Sequence, residues 1–290
     1  MVSAFPYEAT GHGGCRVCAV THLQPSGPPV FRGNHNSARG SGTGLFLCVC
    51  VNGRRFDLME YFSVTDILGG RIDDGQSLYV RLGTMPIVQQ TEDVFPQGLP
   101  DEYAFVTTFK FRKTSRREDW YLWQIYDKYG IPQVSIRLDG ENKAVEYNAV
   151  GLTKDAVRAV FKNPEVDNLF DRNWHKIALS VEAKSVSLYL DCKHIQTLPI
   201  EDREDIDIHG KTVIGKRVYD SVPIDFDLQR MMIYCDSKHA ELETCCDIPN
   251  APVSITYSKV GFYIFLLAQR VKRLSATAVA HLMSCSIVRL

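Results

Sequence analysis

From residue 103 onward, apolar and polar residues alternate along the chain with the two-residue period of strands. Tyr103, Phe105, Thr107, Phe109 and Phe111 fall on one face, which predicts a half-buried strand over 103–112. The same pattern predicts strands at 78–82, 120–126, 133–138, 144–148, 174–181, 185–191, 212–214 and 225–235. Phe56, Leu58, Met59 and Phe62 sit at helical spacing and predict a short amphipathic helix over 56–62. Two more stretches, 154–161 and 168–171, read as locally helical. Phe95-Pro-Gln-Gly-Leu-Pro is a turn with breakers on both sides. Many short strands with frequent turns and few helices indicate an all-β sandwich with short peripheral helices.

The pattern fades at both ends. Residues 1–51 are rich in Gly, Ser and Pro and are expected to be disordered. The domain is expected over 52–250, and 251–290 forms an untypical tail outside it. Met1-Val-Ser-Ala-Phe-Pro has neither a basic start nor an apolar core, so no signal peptide is read there. The apolar runs 44–51 and 260–268 are too short to span a bilayer. The chain is therefore expected to be a fragment or alternative product of a longer secreted one. No internal repeat and no Gly-X-Y run is visible.

A formal net charge of −1 over 290 residues argues against a dominant nucleic-acid surface. Nine cysteines suit an oxidising compartment. No nucleophile stands beside a base and no phosphate loop is present, so the protein is expected to bind rather than catalyse. A carbohydrate-binding or carbohydrate-processing protein on the same architecture is the alternative. A glycosidase would need two facing carboxylates, whereas the acidic residues here fall mainly in loops. Lys110, Arg112, Lys113, Arg116 and Arg117 place five cations within eight residues. They are candidates for a sulfated glycosaminoglycan, or else form a solvated face beside Glu118 and Asp119. Cys15-x-x-Cys18 with His22, Cys48 and Cys50 matches no standard zinc finger. His175 is expected to face solvent while Trp174 and Ile177 pack inward.

Six motifs then occur in a specific order: Phe95-Pro-Gln-Gly-Leu-Pro-Asp-Glu-Tyr, Trp120-Tyr-Leu-Trp-Gln-Ile, Phe170-Asp-Arg-Asn-Trp-His-Lys-Ile, Leu190-Asp-Cys192, Val213-Ile-Gly-Lys216 and Glu243-Thr-Cys-Cys-Asp-Ile-Pro249. They resemble the thrombospondin-N-terminal-like, laminin-G-like domain of the fibril-associated collagens. The resemblance implies a laminin-G-like jelly-roll β-sandwich in a secreted, homotrimeric extracellular-matrix chain. It would contact matrix proteins, cell-surface receptors and heparin-like glycosaminoglycans, with no nucleic acid and no membrane span. It also implies a Cys192–Cys245 disulfide and a pairing of Cys235 with Cys50 or Cys48, with Cys246 left free, interchain or a ligand. A related family member binds zinc at positions that hold Asp207, His209 and Cys246 here, all competent zinc ligands. A solvated turn beside an inert cysteine is the alternative.

Overall fold

The computed structural model describes residues 55–249, except Gln76 and residues 153–155. In chain order the strands are β1 (Arg55–Asp57), β2 (Ile72–Asp73), β3 (Leu78–Arg81), β4 (Ile87–Gln90), β5 (Tyr103–Phe111), β6 (Asp119–Asp127) and β7 (Pro132–Asp139). They continue as β8 (Ala144–Val150), β9 (Ala156–Phe161), β10 (Trp174–Val181), β11 (Ser185–Leu190), β12 (Lys193–Pro199), β13 (Gly210–Arg217) and β14 (Phe226–Tyr234). Four one-turn helices, α1 (Leu58–Tyr61), α2 (Val64–Ile67), α3 (Thr91–Val94) and α4 (His239–Leu242), sit at the periphery.

The strands form two antiparallel sheets packed as a jelly-roll β-sandwich. The larger sheet runs β12-β11-β10-β5-β14-β3-β2, with β1 also on β14, and the smaller runs β4-β13-β6-β7-β8-β9. Aromatic rings fill the space between them: Phe105 stacks on Trp123 at 5.5 Å, Phe111 on Phe170 at 5.2 Å, and Trp120 meets Phe226 at 4.8 Å. Such rings bury large apolar areas and dominate a core of this kind.

β5 is buried on both faces, not half-buried. Phe105 and Phe109 face the sandwich interior, whereas Ala104 and Val106 pack under Ala178, Met232, Tyr234 and Ala240. The segment after β14 therefore roofs the outer face of the larger sheet. Its attachment is chemical. Lys176, which leaves β10 toward that roof, donates to Glu243 Oε2 at 3.0 Å, Thr244 O at 2.5 Å and Asp247 Oδ1 at 2.6 Å. The three ammonium protons of this almost fully buried side chain thus each have an acceptor.

The segment 154–161 departs from expectation. Its described part is the edge strand β9, paired with β8 from Val150↔Ala156 to Val145↔Phe161. Alanine content suggested a helix, but Val157, Ala159 and Phe161 also recur at period two, and pairing with β8 buries all three. The expected helix over 56–62 begins instead as β1, and only α1 is helical. Asp57 caps it, accepting from Met59 N at 3.1 Å and Glu60 N at 3.3 Å. The segment 168–171 falls largely within a 3₁₀ turn, Val166–Phe170. Residues 1–51 and 251–290 lie outside the described residues.

Replacing Lys176 by Met would leave the Glu243 and Asp247 carboxylates without their shared ammonium. We predict a loss of about 2 kcal/mol, because a buried ion pair loses one partner while Arg230 still contacts both carboxylates. Urea unfolding of Lys176→Met against wild type measures it, and a change below about 0.5 kcal/mol would show that the roof does not depend on this contact.

Candidate functional site

The basic run divides in two. Lys110 and Arg112 belong to the larger sheet, where Asp225 and Asp227 neutralise them. Arg112 Nε lies 2.9 Å from Asp225 Oδ2, and Lys110 Nζ lies 3.8 Å from Asp227 Oδ2. Lys110 also sits over the rings of Trp174 and Tyr79, at 4.8 and 5.4 Å. These two cations are spent on structure.

Lys113, Arg116 and Arg117 lie on the turn after β5, where Ser115–Arg117 makes one turn of 3₁₀ helix. Among the described residues none of the three forms an ion pair, and Lys113 and Arg117 are exposed. The turn is rigid. Trp120 Nε1 donates to Ser115 O at 3.1 Å, and the β7–β8 turn presses against its backbone through Gly140. A Cβ on Gly140 would stand 2.6 Å from Glu118 O, so only glycine permits this approach. The neighbouring Lys143 adds a fourth cation, donating to Gly140 O at 2.7 Å and Arg116 O at 3.2 Å. Burial and then the charge of Arg116 hold the Lys143 ammonium below the usual lysine pKa. Arg116 Nε is shielded from solvent with no hydrogen-bond partner among the described residues. A compact cationic surface with an unused buried donor is suited to an anion. Lys143 follows an unremarkable turn in sequence, and nothing local signals that it meets Arg116.

The cysteines of the closing motif are placed as follows. Cys192 and Cys245 are joined, with S–S 2.02 Å and Cα–Cα 5.9 Å. Cys246 is also disulfide-bonded, so it is neither a free thiol nor a thiolate ligand. Cys235 follows β14 and packs half-buried against the core. Its expected partners Cys50 and Cys48, like Cys15, Cys18 and His22, lie outside the described residues.

The expected zinc ligands are not brought together. Asp207 Oδ1 accepts from His209 N at 2.8 Å, and Asp207 N donates to Gln133 Oε1 at 2.9 Å. His209 Nδ1 pairs with Glu92. Among the described residues no group of three or more His, Cys, Asp or Glu side chains is placed to hold a metal.

His175 also differs from expectation, because it does not face solvent. Strand geometry puts it on the same face as Ile177, while Trp174 is on the other and packs against Tyr79 at 5.3 Å. The imidazole is enclosed by two carboxylates, with Nδ1 2.8 Å from Asp191 Oδ2 and Nε2 3.0 Å from Asp171 Oδ1. Burial pushes its pKa down, but the hydrogen bond and charge of Asp191, joined by Asp171, outweigh that and raise it above the usual 6.5. Asp191 also accepts from Lys176 N at 2.9 Å and, with Cys192, forms a tight turn in which both residues have positive φ. The clamp thus fixes the turn that carries the disulfide.

Other carboxylates are equally committed. On the outer face of the smaller sheet, Arg137 contacts Asp119, Asp139 and Glu146 at 2.5 to 3.7 Å, and Glu146 takes Arg158 as well at 2.6 Å. A carboxylic acid and a base working across a sugar would have to be released from these arginines first.

No family model matches the chain. It is 36% identical over 193 residues to the human collagen alpha-1(XIX) chain, covering 67% of this chain and 16% of that one. It is 37% identical over 171 residues to human collagen alpha-1(XVI), covering 59% and 10%. Against Xenopus laevis collagen alpha-1(XXI) it is 34% identical over 197 residues, covering 67% and 20%. The chain thus spans a fifth or less of the length of these relatives, which are fibril-associated collagens and support reading the sandwich as a domain of that kind. Among solved structures, a botulinum neurotoxin DC binding domain in complex with rat synaptotagmin II aligns with TM-score 0.45 at 9% identity, covering 66% of this chain and 45% of that one. The binding domain of Paraclostridial Mosquitocidal Protein 1 aligns with TM-score 0.46 at 12% identity, covering 59% and 44%. These structural likenesses carry no functional argument.

The histidine clamp predicts a pH dependence. A raised folded pKa means that the stabilisation is complete below the unfolded value of about 6.5 and is lost as pH rises through the folded value. We predict that the stability difference between wild type and His175→Gln is largest near pH 6 and shrinks toward about pH 9. Denaturant unfolding across that range reads it directly. A difference that grew with pH would contradict the imidazolium assignment.

Proposed function

We propose that this sandwich is the noncollagenous binding module of a secreted fibril-associated collagen and holds sulfated glycosaminoglycan at the turn formed by Lys113, Arg116, Arg117 and Lys143. Within that family we read the chain as most like the type XXII α1 chain, on the order and spacing of its six motifs. In that setting the full-length chain is a homotrimer that contributes to matrix organisation and adhesion, with matrix proteins and cell-surface receptors as partners. The observation that carries the glycosaminoglycan assignment is the set of cations left without carboxylates on a turn held rigid by Trp120 and Gly140. Fixed guanidinium groups meet sulfate with less ordering cost than flexible ones. Zinc has no part in this reading, since His209 pairs with Glu92 and Cys246 is disulfide-bonded. Catalysis has none either, because the carboxylates on the smaller sheet are bound to arginine.

The split of the basic run yields a prediction that distinguishes this reading from a general charge effect. Arg116→Ala with Arg117→Ala should lower the salt needed to elute the chain from immobilised heparin and flatten the salt dependence of binding. Arg112→Ala should leave elution nearly unchanged, because Asp225 and Asp227 already neutralise that side chain. Equal losses in both variants would show that net charge, rather than the turn, governs the interaction.

The disulfide supplies a second prediction. Cys192–Cys245 closes a separation of 53 residues, worth about 4 kcal/mol by chain entropy. Replacing both cysteines with Ala should cost about 2 to 4 kcal/mol in guanidinium unfolding. An unchanged midpoint would mean that Lys176, Arg230 and the Cys246 disulfide hold the closing segment without it.

A further inference from the structure

β14 carries two short strands on one edge. β3 pairs with it at Asp227 and Leu228, and β1 pairs with it from Met232 to Tyr234. Between those pairings no described strand covers the edge, and there the ladder with β5 breaks: Leu228 faces Phe109, Arg230 faces Thr108, and Gln229 has no opposite residue. A bulge of this kind re-aims a side chain out of the sheet. The result is a notch of about 640 Å³ at the bulge, within the size range of small-ligand sites.

The polar groups around this notch are unequally used. Asp57 caps α1, Asp73 accepts from Gly75 N at 2.8 Å, and Asp247 is held by Lys176. Arg230 is paired with Glu243 at 3.2 Å. By contrast Arg55 and Arg71 line the notch, are exposed, and form no ion pair among the described residues. Ser77 Oγ and Gln229 Oε1 also belong to lining residues; both atoms are shielded from solvent and lack a hydrogen-bond partner among the described residues. Gln229 Nε2, the other half of the same amide, donates to Asp247 O at 3.3 Å, which fixes the carbonyl oxygen as the spare atom. Met59 and Met232 supply an apolar floor.

We propose that this notch binds an acidic saccharide unit, with its carboxylate on Arg55 and Arg71 and its hydroxyls on Ser77 and Gln229. The two guanidinium groups only donate, so they require an anion. Gln229 Oε1 only accepts, so it requires a donor from the same ligand. Ser77 Oγ does either. A uronate presents a carboxylate beside hydroxyls of both kinds, together with a C–H face suited to the methionine floor. This site is separate from the cationic turn after β5, since it stands on the opened edge of β14 and uses none of the same residues.

The test is calorimetric titration of the full 290-residue chain with a hyaluronan tetrasaccharide, which is carboxylated and unsulfated. Binding is expected for this probe and absent for neutral maltotetraose and for tetraglutamate. Arg55→Ala with Arg71→Ala should weaken it at least about tenfold, and Gln229→Leu by about fivefold. Arg116→Ala with Arg117→Ala should leave it unchanged. Both notch arginines are exposed and unpaired, so near-ultraviolet dichroism should match wild type. Should that pair fail to fold, Gln229→Glu sets a carboxylate against the ligand and must weaken binding on its own. Absence of binding, equal binding of maltotetraose or tetraglutamate, or a loss confined to the Arg116→Ala, Arg117→Ala variant would overturn the assignment.

Discussion

Two adjacent charged residues on β10 organise much of this domain. Strand geometry sends His175 and Lys176 to opposite faces of the larger sheet, and each is buried there. A buried ammonium is tolerated only with acceptors around it, and the acceptors of Lys176 are Glu243, Thr244 O and Asp247. The closing segment is thus drawn over the outer face of β10, β5 and β14. On the other side His175 engages Asp191, and Asp191 shapes the turn that offers Cys192 to Cys245. The disulfide and the lysine therefore both hold this segment, together with Arg230 on Glu243 and the Cys246 disulfide. Removing the segment would expose Ala104, Val106 and Met232 to water, which is why β5 is apolar on both faces.

The same closure decides what the surface offers. Asp247 is drawn into the notch beside β14 by its bond to Lys176, and Gln229 orients its amide on the Asp247 carbonyl. Without that tether the amide could turn and satisfy its own oxygen. Structural contacts and an unsatisfied acceptor thus arise from one arrangement. A polar atom left buried and unpaired costs free energy that a folded protein usually avoids. Finding two of them lining one opening makes the opening more than a packing gap.

The long strands were legible where apolar residues recur at period two, but their order in the sheets was not. Residues 174–181 were assigned in full as β10 because Ile177, Leu179 and Val181 recur at period two. The edges were not legible. β12 is largely exposed and reads as a polar loop, and β2 has only two residues, both exposed. β9 was obscured by helix-favouring alanine. At the sites, Lys113, Arg116 and Arg117 announced themselves by clustering, yet sequence could not tell them from Lys110 and Arg112. That distinction rests on Asp225 and Asp227, more than a hundred residues away and joined only by the β5–β14 pairing. His175 was misplaced for a related reason. Trp174 and Ile177 are three apart and cannot share a face of a strand, so the histidine next to one of them lies with the other. Two charges inside an otherwise apolar strand were the available signal of buried pairing.

Where the charges remain unspent follows from sheet geometry. On the face of a sheet, side chains of neighbouring strands stand close enough to pair, and the smaller sheet uses this fully in its row from Asp119 through Arg137 and Glu146 to Arg158. A turn or an open edge has neighbours on one side only, so its cations lack cross-strand partners. Arg116 and Arg117 on the turn after β5, and Arg55 and Arg71 beside the gap in the β14 edge, occupy such places. Along that row the outer face offers a ligand little beyond competition with existing pairs. An anionic ligand gains most where the protein has no carboxylate of its own to displace, which directs recognition on this sandwich to the turn after β5 and the gap beside β14.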